Sequence, residues 1–182
     1  MREFATHTYR QKSQKAGSYF DELYRHLSYV VDDMKAIILT EQRESLKEQE
    51  VAKPTPNPDQ VLIKVKACGV CRTDLHVVDG DLPKPKLPLI PGHEVIGEVV
   101  ELGENADRWK VGDKVGMPWL GYTCGKCKFC QRGQENLCEN ALFNGYTLDG
   151  GYAEYTTAYA DYCLPIPDQY YHAESTPCFV QG

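Results

Sequence analysis

Hydrophobic and polar residues alternate along much of the chain in the pattern of a half-buried β-strand. The clearest alternation has Val61, Ile63, Val65 and Ala67 on one face and Leu62, Lys64 and Lys66 on the other. Successive side chains of a strand point to opposite faces, so this spacing predicts a strand with one face buried. Further strands are predicted at residues 34–39, 95–101, 152–157 and 162–166, and on both sides of the hairpin-type dipeptide Gly112-Asp113. Short strands separated by frequent turns favour a mainly β, barrel-like fold.

The first 33 residues have a different pattern from the rest of the chain. Their apolar residues recur at roughly helical spacing within balanced charge, which predicts an extension that is either an amphipathic helix or disordered. The strand-like run that begins at Met34 marks the start of the independent fold. We therefore expect an N-terminal extension at residues 1–33 and one domain at residues 34–182.

A proline-rich stretch separates the predicted strands in the middle of the chain. Pro83, Pro85, Pro88 and Pro91 exclude a helix or a central strand there. The stretch is followed directly by Gly92-His93-Glu94. His93 is therefore predicted to lie where a rigid loop enters a strand.

Composition and charge indicate which classes of protein the sequence fits and which it does not. The 182 residues are 42% hydrophobic and 25% charged, as in soluble globular proteins, and the formal charge of -6 disfavours binding to nucleic acid or to an anionic membrane. The sequence has neither an apolar run of about 18 residues nor a secretory signal, so we expect a cytoplasmic protein. In a reducing compartment its eight cysteines are better explained as metal ligands than as disulfides.

Four cysteines follow one another at the spacing C-x2-C-x2-C-x7-C in a polar loop: Cys124, Cys127, Cys130 and Cys138. Four thiolates close the tetrahedral shell of a zinc ion and leave no position for a substrate, which predicts a structural site. The alternative is an iron–sulfur cluster, but the ferredoxin spacing of three residues before a Cys-Pro pair is absent. Zinc is therefore the better interpretation.

A second group of metal-ligating residues lies upstream. Cys68 and Cys71 could form a redox pair, but the βαβ context of such a motif is missing. A catalytic zinc takes three protein ligands and leaves a fourth position open. Cys71 and His93 would supply two of the ligands, and a distant cysteine, either Cys163 or Cys178, would supply the third.

Several of these motifs together resemble the zinc-dependent alcohol dehydrogenases of the medium-chain dehydrogenase superfamily. The motifs are Gly69–His76, Pro91–Glu94, the four cysteines with the preceding Gly121–Cys124, and Gly145–Glu154. The resemblance extends from Met34 to about Cys178. It implies a GroES-like β-barrel with a zinc-binding loop lobe at about residues 118–145 and few short helices.

The resemblance also implies roles for individual residues at the open site. It implies that Cys71, His93 and Cys178 bind the catalytic zinc and that Cys163 is a structural thiol. Glu94 is then expected behind the metal, where a carboxylate can tune its coordination.

Four residues near Cys71 receive roles from the same resemblance. Asp74 would steady the His93 ring as a hydrogen-bond acceptor. Thr73 and His76 would form a proton relay from the alcohol towards solvent. Arg72 would meet the pyrophosphate of the cofactor, and His76 would also lie on the cofactor side.

The resemblance implies an enzyme that oxidises small primary or secondary alcohols with NAD. It also implies two zinc ions per chain. Members of the family are homo-oligomers, so the same is expected here. The sequence has no Gly-x-Gly-x-x-Gly fingerprint, and the Rossmann domain of the family is absent from it. We therefore expect negligible turnover from this polypeptide alone. The alternatives are a non-enzymatic zinc-binding module and a related polyol, threonine or formaldehyde dehydrogenase.

Overall fold

The computed structural model of the protein describes residues 32–171 together with Ala173 and Thr176. The helix expected within residues 1–33 lies outside this part of the chain except for Asp32 and Asp33, and Cys178 lies outside it as well. In chain order the strands are β1 (Asp33–Ile38), β2 (Lys47–Ala52), β3 (Gln60–Gly69), β4 (Glu94–Leu102), β5 (Lys114–Met117), β6 (Leu120–Tyr122), β7 (Leu142–Phe143), β8 (Tyr155–Tyr159) and β9 (Leu164–Pro165).

Five antiparallel strands form the main sheet, in the order β8-β3-β4-β5-β9. Its longest strands are β3, which alternation in the sequence predicted most clearly, and β4, which was predicted at residues 95–101. Inward-facing residues of these strands, including Val61, Ile63, Val95 and Val99, form the main core cluster. The strand-rich fold confirms the prediction of a mainly β, GroES-like architecture.

The pattern of β3 differs in one respect from the prediction. Leu62 was assigned to the polar face, but it is only 1% exposed. The strand is covered on both faces at its start and becomes half-exposed only from Lys64 onward. Both faces of the sheet are therefore covered at the start of β3, which alternation alone does not predict.

The prediction that strands lie on both sides of Gly112-Asp113 is wrong. Strand β5 follows this dipeptide, but no strand directly precedes it; β4 ends at Leu102, and a long loop connects the two antiparallel strands. Gly112 has a positive φ of 95° and lies in a turn in which the Asp113 carboxylate accepts the N–H of Lys110 at 2.8 Å. The dipeptide therefore forms a turn at the end of the loop.

Besides the short strands β6 and β7 and the 3₁₀ helices, two elements have no counterpart among the sequence predictions. Strand β2 pairs with β1 although it is mostly charged and exposed, so it carries no hydrophobic alternation. The other element is helix α1 (Arg72–Asp79), the one α-helix among the described residues. No helix in that part of the chain is both long enough and apolar enough to cross a membrane.

Helix α1 begins with a capping box. The Cys71 sulfur accepts the N–H of Thr73, and the Asp74 carboxylate accepts the N–H of Cys71. The helix ends at Gly80, whose φ of 82° is in the left-handed region favoured by glycine. Cys71 and Asp74, which the sequence analysis assigned to the metal site, are thus also the residues that start the helix.

The loop with four cysteines leaves the barrel and returns to it at nearly the same place. Strands β6 and β7 pair antiparallel at its base, with Leu120 opposite Phe143. Between them the chain forms two short 3₁₀ helices, Cys130–Arg132 and Glu135–Leu137. We call residues 120–143 the cysteine lobe and the β6–β7 pair its neck.

Candidate metal centres

Cys71 and His93 are brought together from two different segments. Cys71 caps helix α1, and His93 lies between the proline-rich loop and β4. The Cys71 sulfur is 3.2 Å from Nε2 of His93, whose side chain is only 2% exposed. A thiol and an imidazole therefore face each other at a half-buried position.

This separation fits a shared metal ion. Zinc–sulfur and zinc–nitrogen bonds of about 2.3 and 2.0–2.1 Å place the two ligand atoms about 3.6 Å apart at a tetrahedral angle. The observed 3.2 Å requires only a small outward movement. A carboxylate oxygen of Glu94 completes a group of three potential ligand atoms that all lie within 4.8 Å of one another.

Glu94 supports the same interpretation through its burial. Its side chain is almost inaccessible, and its Oε1 has no hydrogen-bond partner among the described residues. Its Oε2 lies so close to Gly69 that a side chain at that position would collide with it. A buried carboxylate oxygen without a partner is costly unless a cation compensates it, which fits a metal beside Cys71 and His93.

Asp74 connects both ligand-bearing segments. It accepts the backbone N–H of Cys71 at 2.9 Å and that of Gly92 at 3.2 Å, and its Oδ1 lies 3.3 Å from Nδ1 of His93. The last contact has the distance of an ion pair but not the alignment of a hydrogen bond. Burial alone would raise the pKa of Asp74. The contact with His93 and the hydrogen bond from the N–H of Cys71 have a larger combined effect, so the pKa is lowered. The carboxylate is therefore charged and turns Nε2 of His93 towards Cys71.

The remaining predicted residues lie along α1. Thr73 is half-buried, and its backbone N–H donates to the Cys71 sulfur at 3.3 Å. His76 is also half-buried, and its Nδ1 lies 2.7 Å from the Asp81 carboxylate. Arg72 is exposed. The structure thus assembles Cys71, Asp74, His93 and Glu94 and places the other three residues on the adjoining helix.

The sequence analysis missed an aromatic wall beside His93. The Trp119 and His93 rings pack in a T-shaped arrangement with 5.0 Å between their centroids. Phe143 stacks on Trp119 at 4.9 Å, and Tyr146 stacks on it at 5.8 Å. These residues are distant from His93 in sequence and form no local pattern, so residue spacing offered no signal for the contact.

Tyr152 and Cys68 were not predicted as site residues either. Tyr152 donates its hydroxyl to the carbonyl oxygen of Gly69 at 3.4 Å. Burial, together with the negative charge of Asp74, raises the pKa of Tyr152. Burial also raises the pKa of Cys68 to about 12. Tyr152 is therefore a neutral donor, and Cys68 is a protonated thiol that is unsuited to redox exchange with Cys71.

The four lobe cysteines form a second, more complete group. All four sulfur atoms lie within 4.8 Å of one another, with 3.5 Å between Cys127 and Cys130 and 3.6 Å between Cys124 and Cys138. Four sulfurs bonded to one zinc ion at about 2.3 Å would be about 3.8 Å apart. The lobe therefore already has nearly the geometry of a tetrahedral four-sulfur site.

Backbone N–H groups of the lobe point at the sulfurs. The N–H groups of Cys124 and Asn140 each donate to the Cys138 sulfur at 3.4 Å. Donors from Lys126 and Cys127 lower the pKa of Cys124 to about 6, whereas burial raises that of Cys130 to about 11. Donors that stabilise thiolates suit a site whose metal takes only deprotonated sulfur.

Cys163 lies elsewhere, in the main core. It is 1% exposed, burial raises its pKa to about 12, and its thiol donates to the carbonyl oxygen of Tyr159 at 3.5 Å. Among the described residues it belongs to neither group of metal-ligating side chains. Of the two cysteines considered as a third ligand beside Cys71 and His93, this one is a core thiol.

Comparisons with known proteins agree with this arrangement. The sequence profile of the alcohol dehydrogenase GroES-like domain matches residues 57–168. An alcohol dehydrogenase from Geobacillus stearothermophilus is 51% identical over 150 residues, which are 82% of this chain and 44% of that protein. A cobalt- and zinc-bound thermostable alcohol dehydrogenase from Pyrobaculum aerophilum superimposes with a TM-score of 0.68 at 34% identity, over 73% of this chain and 41% of the other.

A second solved structure adds a cofactor to the comparison. A short chain alcohol dehydrogenase from Escherichia coli, complexed with NADH, superimposes with a TM-score of 0.71 at 31% identity. The match covers 79% of this chain and 41% of the other. The chain therefore spans less than half the length of the relatives it matches.

Proposed function

Because the chain belongs to the zinc-dependent alcohol dehydrogenase family that carries a GroES-like domain, we propose that it is the zinc-binding part of an enzyme that oxidises small primary or secondary alcohols with NAD. The observation that carries the proposal is the pair formed by the Cys71 sulfur and Nε2 of His93, held 3.2 Å apart with the Asp74 carboxylate behind it. A structural metal alone would not require this second, incomplete ligand set.

In this proposal Cys71 and His93 hold a catalytic zinc together with Cys178, the residue that the resemblance assigns as third ligand. A zinc ion bound there supplies Lewis acidity, which lowers the pKa of a hydroxyl group at its open position. The lobe cysteines hold a second zinc that has no open position and keeps the loop folded.

The chain's own residues prepare His93 for this role. The charged Asp74 carboxylate favours the proton on Nδ1 and so leaves the lone pair of Nε2 facing Cys71. Glu94 adds a second carboxyl group at a buried position, where electrostatic interactions with a cation are only weakly screened. The two carboxylates together make the pocket favourable for a divalent cation.

Helix α1 offers a route for the alcohol proton. Thr73 lies two residues after Cys71, in the first turn of the helix, and its hydroxyl is proposed to take the proton first. At His76, Asp81 accepts from Nδ1, which leaves Nε2 as the basic nitrogen. The His76 side chain is 39% exposed, so a proton that reaches its ring can pass to water.

Trp119 supplies the apolar part of the proposed substrate site. Its ring packs against His93 and is proposed to shield one side of the metal position from water. An apolar surface beside a polarised hydroxyl suits the hydrocarbon portion of a small alcohol. Arg72 is exposed and is proposed to meet the cofactor pyrophosphate by a charge-assisted contact.

Cobalt(II) substitution tests the proposal. The metal-free chain should bind two cobalt ions, and Cys71→Ser should remove one of them. Cys68→Ser is the matched control and should retain both, because Cys68 is a buried thiol outside the ligand group. Addition of an alcohol should change the absorption of the Cys71 site only.

Other results would favour the competing interpretations. Two bound metals with no response to alcohol or nicotinamide cofactor would indicate a non-enzymatic zinc-binding module. Binding of one metal, retained in Cys71→Ser, would mean that the open site does not form and would contradict the proposal.

A further inference from the structure

Tyr152 contacts both of the segments that carry Cys71 and His93. Its hydroxyl donates to the carbonyl oxygen of Gly69, shortly before Cys71, at 3.4 Å. Its ring lies against Gly92, immediately before His93, so closely that a Cβ on Gly92 would be 2.5 Å from the ring carbon Cδ1. One side chain therefore spans the gap between the two segments.

The position of Tyr152 is itself fixed by the barrel. Its backbone N–H donates to the carbonyl of Pro91 at 3.0 Å, and its carbonyl accepts the N–H of Ile37 in β1 at 2.8 Å. The preceding Gly151 donates to the carbonyl of Gly92 at 2.9 Å. The residue is thus held by β1 on one side and by the Pro91-Gly92 loop on the other.

Asp74 spans the same two segments through backbone N–H groups, those of Cys71 and Gly92. Tyr152 adds a contact to a carbonyl group and the packing of a rigid ring. The Tyr152 hydroxyl also interacts with the Asp74 carboxylate, so the two side chains form one connected set of contacts between the segments. Both residues therefore connect the segment that carries Cys71 to the one that carries His93.

We propose that Tyr152 is a positioning residue of the Cys71 and His93 metal centre. Its hydroxyl holds the end of β3, and its ring keeps Gly92 and hence His93 at the distance that one shared ion requires. This inference rests on the proposed function, because it presumes that the two side chains bind a metal. It predicts that the Tyr152 hydroxyl contributes to metal affinity although it is not itself a ligand.

The test compares cobalt(II) binding by the full chain and four variants. Tyr152→Phe removes only the hydroxyl, and Tyr152→Leu also removes the ring. Tyr155→Phe is the matched control, because it removes a tyrosine hydroxyl away from the Cys71 and His93 segments. The Tyr155 ring instead packs against Lys53, whose Nζ is 4.4 Å from the ring centroid. The Cys71→Ser variant gives the lobe signal alone, and subtracting this signal isolates the open site.

Tyr152→Phe is expected to weaken cobalt binding at the open site about tenfold, the usual loss when a residue that orients a ligand is removed. Tyr152→Leu should weaken it further, and Tyr155→Phe should leave it unchanged. The lobe signal and the unfolding midpoint of the metal-free Tyr152→Phe chain should match those of the parent.

Two results would overturn the inference while leaving the proposed function intact. One is parent-like affinity at the open site in Tyr152→Phe. The other is an equal loss at both metal sites, or a lower metal-free midpoint that accounts for the weaker binding, because Tyr152 would then serve only stability. If the parent chain takes up no cobalt at the open site, the proposed function fails and this inference fails with it.

Discussion

At the scale of single residues, Asp74 combines two tasks that are usually separate. It caps helix α1 through the N–H of Cys71, and it orients His93 through Nδ1. The same carboxylate therefore links the start of a helix to the direction of a metal-ligating nitrogen. A residue with both tasks is sensitive to loss of charge even when its shape is kept.

Asp74→Asn tests this dual role. The amide keeps the size of the side chain but loses the charge that fixes the His93 tautomer. Metal affinity at the Cys71 site is expected to fall about 10- to 100-fold, as measured by competition with a chelator. Asp79→Asn, at an exposed position in the same helix, is the control and should bind metal like the parent. Equal affinity in both variants would argue against the role of the Asp74 charge.

Cys163 gives a prediction about pH. Burial raises its pKa from 9.0 to about 12 in the folded chain, whereas the unfolded chain has the lower value. Above pH 9.0 the unfolded state therefore loses a proton that the folded state keeps, and this favours unfolding. The stability contributed by the protonated thiol is present below pH 9.0 and is lost as the pH rises towards 12.

The measurement is denaturant unfolding of the metal-free chain on both sides of pH 9.0. Cys163→Ala should be less stable than the parent at neutral pH, because it leaves a small cavity in the core. The difference between the two proteins should shrink as the pH rises. A constant difference across this range would show that the thiol does not titrate as its burial predicts.

At the scale of structural elements, the loop that leads to His93 depends on Gly92. Its φ of 93° is unfavourable for other residues, and a Cβ there would meet Tyr152 and the Cys68 sulfur. Gly112 has a similar φ of 95°, but nothing lies within 4 Å of its Cβ position. Alanine at Gly112 would therefore introduce backbone strain only, whereas alanine at Gly92 would introduce backbone strain and a steric clash.

Gly92→Ala and Gly112→Ala form a matched pair. Gly112→Ala should cost about 1–2 kcal/mol of unfolding free energy from the left-handed backbone alone and should leave metal binding unchanged. Gly92→Ala should cost more and should also abolish metal binding at the Cys71 site. Unfolding and metal titrations check both. Equal behaviour of the two variants would mean that the contact with Tyr152 is unimportant.

The cysteine lobe is expected to fold with its metal. It consists of turns and 3₁₀ helices with little apolar core, so the ion supplies much of its stability. Cys127→Ser should speed hydrogen exchange across residues 124–138 and leave β3 and β4 protected. Cys68→Ser, which changes a cysteine outside the lobe, is the control. Unchanged exchange in the lobe of Cys127→Ser would contradict a structural role for the metal.

At the scale of the whole molecule, the sequence predicted the elements whose signals are local. Alternation identified β3, a run of strand-forming residues between turns identified β4, and cysteine spacing identified the lobe. Strand β2 escaped prediction because exposed charged residues such as Lys47 and Glu48 carry no alternation, and its pairing with β1 decides its conformation. The contacts of Trp119 and Tyr152 were also not predictable, since they join segments that only the folded barrel brings together.

The residue types of the open site were recognisable, but their arrangement was not. Spacing left Cys163 and Cys178 as equal candidates for a third ligand, and burial of Cys163 in the core assigns it to packing. The position of Cys178 stays a prediction because the described residues do not include it. The roles of Thr73, His76 and Arg72 likewise stay proposals, since they depend on substrate and cofactor.

The purified chain is expected to reduce NAD at a negligible rate with ethanol. The 182 residues contain no Gly-x-Gly-x-x-Gly fingerprint, the glycine-rich turn that binds the pyrophosphate of a dinucleotide. Absorbance of NADH at high enzyme concentration is the measurement, with the Cys71→Ser variant as blank. NADH formation that exceeds this blank would contradict the expectation.

The neck of the cysteine lobe brings the two ends of the lobe side by side, which matters for engineering and for evolution. Because Leu120 and Phe143 pair across β6 and β7, the lobe enters and leaves the barrel through a narrow gap. A segment with adjoining ends can be shortened, lengthened or grafted from a relative without changing the register of the barrel strands. Trp119 and Phe143 mark the border of such an exchange, because their stacked rings connect the grafted segment to His93.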